Sequence, residues 1–100
     1  MAQVIWTKKA LSQLERSVKY IVEEQGPSYA EIVLNKILTA TRNLSDFPKM
    51  GQAEPFLSHK KFEYRYVVAW SYKIVYRIKG TKVTISRIFH TSQDPKQILS

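Results

Sequence analysis

The hydrophobic pattern of this chain changes period once, and that change splits it into a helical half and a sheet half. Leu11, Leu14, Val18 and Ile21 recur at helical spacing, and so do Val33, Ile37, Ala40, Leu44 and Phe47. Such stripes mark amphipathic helices with one face turned to a core. From Phe62 onward the period is two: Phe62, Tyr64, Tyr66, Val68 and Trp70 alternate with Glu63, Arg65, Val67 and Ala69. Side chains share a face every two residues in a strand but every 3.6 or so in a helix, so neither stretch can adopt the other's structure and keep its apolar face buried.

Punctuation residues set the element boundaries. Gln3–Trp6 reads as a short strand, and Thr7 is an N-cap for a helix running through Glu24. Gly26-Pro27 stops that helix. Ser28 with Glu31 forms a capping box that starts a second helix, which Pro48 closes. So short a joint makes the two helices an antiparallel hairpin. Pro48 to Lys61 reads as loop. Three strands follow, over Phe62–Trp70, Tyr72–Lys79 and Val83–Phe89, with Gly80-Thr81 as the second turn. The expected fold class is α+β: an N-terminal short strand and an antiparallel helical hairpin packed on a small antiparallel β-sheet. With 100 residues, the whole chain, 1–100, is one domain. The aromatic and aliphatic members of the strands are expected to form one core face, continuing from Phe62–Trp70 into Tyr72, Ile74, Tyr76 and Ile78. The opposite face then carries Glu63, Arg65, Lys73, Arg77 and Lys79.

Charge narrows the function. Sixteen Lys/Arg against eight Asp/Glu give +8, with +2 in residues 1–50 and +6 in residues 51–100. A basic half-domain points to a polyanion or an acidic protein partner, and the alternative is an ordinary soluble basic surface. With no cysteine, disulfides, thiolate metal sites and cysteine nucleophiles are excluded. Two separated histidines, His59 and His90, with no carboxylate cluster make a poor metal site, so no metal and no cofactor is expected. The N-terminus lacks a signal-peptide pattern, and apolar runs such as Val67–Trp70 fall far short of a membrane span. A cytoplasmic chain with no membrane partner is the expectation.

Several side chains could carry chemistry. If the chain cleaves RNA, it needs a base for the 2′-hydroxyl, cations on the phosphate and an acid for the leaving oxygen. Glu63 could be that base, His90 the acid, and Arg65, Lys73 or Arg87 the charge clamp. A lone histidine at a strand end is more often a hydrogen-bonded structural residue. Arg87 falls by period between Ile85 and Phe89, on the apolar side of its strand. It must therefore be paired, lie at the sheet's open end, or follow a β-bulge.

Several ordered segments resemble one family. They are Trp6-Thr7-Lys8-Lys9-Ala10, Phe47-Pro48-Lys49-Met50-Gly51 with Pro55, Arg65-Tyr66-Val67-Val68, Tyr72 to Ile78, Val83 to His90, and Gln93-Asp94-Pro95. Along nearly its full length the chain resembles the RelE/ParE toxin superfamily, in its ParE-like branch. That resemblance implies the toxin of a bacterial type II toxin–antitoxin system, of the plasmid-stabilization kind, which arrests growth until a cognate acidic antitoxin neutralises it. It also implies a helical hairpin on a small antiparallel sheet, with higher-order toxin–antitoxin assembly open. Two activities share this fold: ParE-like members poison DNA gyrase, and RelE-like members cut mRNA on the ribosome. Lys73 stands where the nucleases usually carry arginine, and His90-x-x-Gln93-Asp94-Pro95 resembles the ParE branch, so gyrase inhibition is the leading expectation. On that reading Arg65, Lys73, Arg77, Arg87, His90, Gln93 and Asp94 contact target or antitoxin and catalysis is absent; a RelE-like chain would be an endoribonuclease. A small basic nucleic-acid-binding module without toxicity is the third alternative.

Overall fold

A computed structural model describes residues 1–57 and 61–93. Strand β1 (Gln3–Trp6) leads into helices α1 (Lys8–Gln25) and α2 (Pro27–Asp46). A two-residue strand β2 (Gln52–Ala53) and one 3₁₀ turn (Pro55–Leu57) precede the meander of β3 (Glu63–Ala69), β4 (Tyr72–Lys79) and β5 (Lys82–His90). The five strands form one sheet in the order β1-β5-β4-β3-β2. All neighbours are antiparallel except β1, which pairs in parallel with β5. The expected α+β arrangement is therefore present, with a mixed sheet in place of a purely antiparallel one. The parallel pair is possible because its strands are the first and last of the fold, joined by a long connection that runs through both helices and β2–β4.

Thr7 caps α1 as its residue type suggests, accepting the Ala10 N–H at 3.1 Å. The second helix starts differently from the capping-box reading. Gly26, at φ 93°, ends α1 and is also the N-cap of α2, and Pro27 takes the first helical turn with no side-chain cap. Proline lacks the N–H that would be orphaned there and is already set at a helical φ, so the helix begins at once. Leu14, Ile21, Val33, Ile37 and Leu44 are buried as the stripes require. Leu11 and Phe47 are 42% and 66% exposed, so the stripes are wider than the core. The segment read as loop also holds β2 and the 3₁₀ turn.

Register corrects the face assignment. Tyr64 lies opposite Arg77, Tyr66 opposite Val75 and Val68 opposite Lys73. Directly opposed residues share a face. The aromatic stripe of β3 thus lies with the cationic stripe of β4, away from the helices. Toward the helices point Val67 and Ala69 of β3, Tyr72, Ile74, Tyr76 and Ile78 of β4, and Val83, Ile85 and Ile88 of β5. The even two-residue connection between β3 and β4 decides this, and a stripe read along one strand carries no information about its partner's face.

Candidate functional site

Among the described residues, the sheet face away from the helices is covered by the short stretch from Gly51 to Leu57. Tyr76 fastens its start from below: the hydroxyl donates to the Pro48 carbonyl at 2.6 Å and accepts the Gly51 N–H at 3.0 Å. Burial pushes the Tyr76 phenol up from its ordinary pKa, against the lowering effects of the Gly51 N–H and nearby Arg65. A Cβ on Gly51 would lie 2.5 Å from the Tyr66 carbonyl and 2.5 Å from that hydroxyl, so only glycine fits. Leu57 then packs with Val75 and Phe89 into a second small core, flanked by Tyr64 and Tyr66.

Glu54 enters that core with its charge. Its side chain is fully buried, its Oε1 accepts the Phe56 N–H at 3.2 Å, and its Oε2 sits 2.7 Å from the Lys73 ammonium. Lys73, 16% exposed, also stands 4.2 Å from the Tyr66 ring centroid and 5.9 Å from that of Phe89. Lys73 is thus held by a buried carboxylate and an aromatic floor. Sequence reasoning missed Glu54. Its one signal was that it is the only acid between Asp46 and Glu63, facing a strand pair rich in cations.

The other expected site residues disperse. Glu63 and Arg65 lie on the helix-side face near the β2 edge, paired with each other, and Arg65 also donates to the Gly51 carbonyl at 2.7 Å. Arg77 is on the outer face, 4.8 Å over the Phe62 ring. A register shift between Val75 and Tyr76 places Ser86 as the extra residue of a bulge, so Ile85 faces the helices while Arg87 faces outward opposite Val75. The bulge is the resolution that the periodicity had left open for Arg87, whose guanidinium donates to the Ser86 carbonyl at 2.7 Å. His90 points to the helix side beside Tyr72, ring centroids 5.3 Å apart. Glu63 opposes Ile78 and His90 opposes Tyr72, so six strand positions, roughly 20 Å, separate the supposed base from the supposed acid. Asp94, like His59, lies outside the described residues.

His90 instead helps to line a cleft of about 540 Å³ between α1 and the end of the sheet, with Arg16, Ser17 and Tyr20 on one wall and Tyr72, Ser92 and Gln93 opposite. The Ser92 N–H donates to His90 Nδ1 at 3.0 Å, which puts the proton of the neutral ring on Nε2. Gln93 closes the turn through its side-chain oxygen, which accepts the His90 N–H at 3.0 Å. Burial raises the Tyr72 pKa, offset in part by a hydrogen bond with Ser17. Among the described residues the wall has one guanidinium, several hydroxyls and no carboxylate, and that donor excess suits an anionic group. Nothing in the sequence set Arg16 and Tyr20 apart from the rest of the polar face of α1. Among the described residues no three His, Asp or Glu gather as metal ligands, and no helix is long and apolar enough to cross a membrane.

Residues 4–95 match the family described as ParE toxin of type II toxin-antitoxin system, parDE. The chain is 31% identical over 88 residues to Toxin ParE3 of Caulobacter vibrioides, covering 88% of this chain and 85% of that protein. It is also similar to a chain of the chromosomal ParDE TA system from P. aeruginosa, with a TM-score of 0.74 and 25% identity over 90% of this chain and 96% of that one.

Proposed function

Because the chain belongs to the ParE toxin family of type II toxin–antitoxin systems, and so has an antitoxin as its partner, we propose that it acts through a recognition surface and that DNA gyrase is its target. The observation carrying this reading is the dispersal of the groups a nuclease would need. Glu63 and His90 stand roughly 20 Å apart along the strands, and Lys73 is bound to the buried Glu54. General acid–base catalysis needs both groups within hydrogen-bond reach of one substrate. Recognition has no such requirement.

The antitoxin is an acidic segment that orders on binding. The cleft beside α1 suits one of its carboxylates, with Arg16 and the Nε2–H side of His90 as donors and no acid among the described wall residues to repel it. Arg16→Glu should then weaken the toxin–antitoxin complex without unfolding the toxin.

A supercoiling assay with purified gyrase tests the target. Inhibition is expected, and His90→Ala should inhibit as well as the parent chain. If the parent instead cuts mRNA on ribosomes, and a folded His90→Ala chain loses that cutting by about a hundredfold to ten-thousandfold, as for a lost general acid, the gyrase reading is wrong.

A further inference from the structure

On the outer sheet face, the end formed by the β4–β5 turn gathers cations that no carboxylate among the described residues neutralises. Lys79 and Lys82 are directly opposed across the ladder and both are exposed. Arg77 is the next residue along β4 on that face, opposite Thr84. Like charges directly opposed on a sheet repel, yet among the described residues no carboxylate pairs with any of the three; the acids on this sheet, Glu54 and Glu63, are engaged by Lys73 and Arg65. Two of the cations are also held in place, since Arg77 and Lys79 stand 4.8 and 5.4 Å from the Phe62 ring centroid.

We propose that this end of the outer face binds the phosphodiester backbone of duplex DNA, through Arg77, Lys79 and Lys82. Positions two apart on one strand face are spaced about 7 Å, close to the separation of successive phosphates along one strand. Arginine can hold a phosphate in a fork, and the two ammoniums act as point charges. An acidic protein segment fits less well. Peptide recognition draws on apolar pockets for side chains, and neither the cleft beside α1 nor a second one between β1 and α2, lined by Val4, Trp6 and Leu38, includes any of these residues. Cations that reach phosphates rather than base edges position a backbone and read no sequence. This contact goes beyond inhibition of gyrase and does not depend on it.

The test is binding of a labelled duplex of about 20 base pairs to the full chain freed of antitoxin, followed by fluorescence anisotropy. With three phosphates neutralised, the slope of log K against log salt should be about −2.7, a loss of about fortyfold between roughly 50 and 200 mM salt. Lys79→Ala with Lys82→Ala should weaken binding and bring the slope to about −0.9. Lys8→Ala with Lys19→Ala, exposed on α1 and equal in charge lost, should leave the slope unchanged. Absence of binding, an equal effect of both pairs of substitutions, or displacement of DNA by polyglutamate as readily as by unlabelled duplex would each overturn the proposal. The assay contains no gyrase, so its outcome is separate from that of the supercoiling test.

Discussion

The two faces of the central sheet are held by different physics although the same three strands build both. Toward the helices, Ile74, Tyr76, Val83, Ile85 and Ile88 are sealed under Leu14, Val33, Ile37 and Leu44 in one apolar core. Away from the helices the cover is a few residues of β2 and the 3₁₀ turn, and the apolar part reduces to Leu57, Val75 and Phe89 with two tyrosines at its rim. A thick core tolerates small losses by spreading them over many contacts. The thin one is organised around a buried ion pair, Glu54–Lys73, and one glycine that lets the cover close. Stability on the first face scales with apolar area, whereas on the second it hinges on individual polar groups.

The largest test of that contrast is Lys73→Ala. It would leave the Glu54 carboxylate buried without its cation, at a cost of about 3–5 kcal/mol in urea unfolding. Pairing Lys73→Met with Glu54→Gln should recover most of that loss, because it removes both charges together. A small effect of Lys73→Ala alone would place the outer face under the same rules as the inner one. Gly51→Ala comes next. Its Cβ meets a backbone carbonyl and the Tyr76 hydroxyl at 2.5 Å, and the forced shift should cost about 1–3 kcal/mol in the same assay.

The sheet's two hairpin turns give a smaller test. Gly80 and Trp70 each hold the first position of a two-residue connection, both at φ 59°. A positive φ at that position is ordinary for glycine and strained for tryptophan, by about 1–2 kcal/mol. Trp70 is kept there by its indole N–H, which donates to the Tyr29 hydroxyl at 2.8 Å, by the edge-on Tyr29 ring, and by Lys36 at 5.4 Å. Trp70→Gly should therefore change stability by no more than about 1 kcal/mol, strain relief offsetting lost contacts. A double-mutant cycle with Tyr29→Phe should return a coupling of about 0.5–1.5 kcal/mol, and zero coupling would mean the turn is held by something else.

The smallest effect is invisible at neutral pH and belongs to the inner face. Tyr72 and Tyr76 both have pKa values raised by burial. A group whose folded pKa exceeds its unfolded value contributes stability that is fully present below the unfolded value, near 10 for tyrosine, and lost as pH rises through the folded value. The tyrosines' contribution should be flat in pH up to about 10 and fall above it, and Tyr76→Phe should flatten that fall. An undiminished alkaline slope in Tyr76→Phe would mean that Tyr76 does not carry it.

Much of this was legible from residue order. The change of hydrophobic period located both helices and all three long strands, and Thr7 and Gly26-Pro27 marked real ends, because periodicity and capping are local properties of the backbone. The segments from Trp6-Thr7 to Gln93-Asp94-Pro95 pointed to the family together, through their order and spacing along the chain. What lay beyond the sequence was pairing across distance. Which face the β3 aromatics share was set by register with β4. Whether Arg87 pointed inward was set by one extra residue, Ser86, in the ladder. Whether Lys73 was available to a phosphate was set by Glu54, nineteen positions away in a stretch with no period at all. A one-residue step inverts every side chain of a strand, and a buried charge takes whatever partner the folded chain brings to it. Those choices exist only once the sheet has closed.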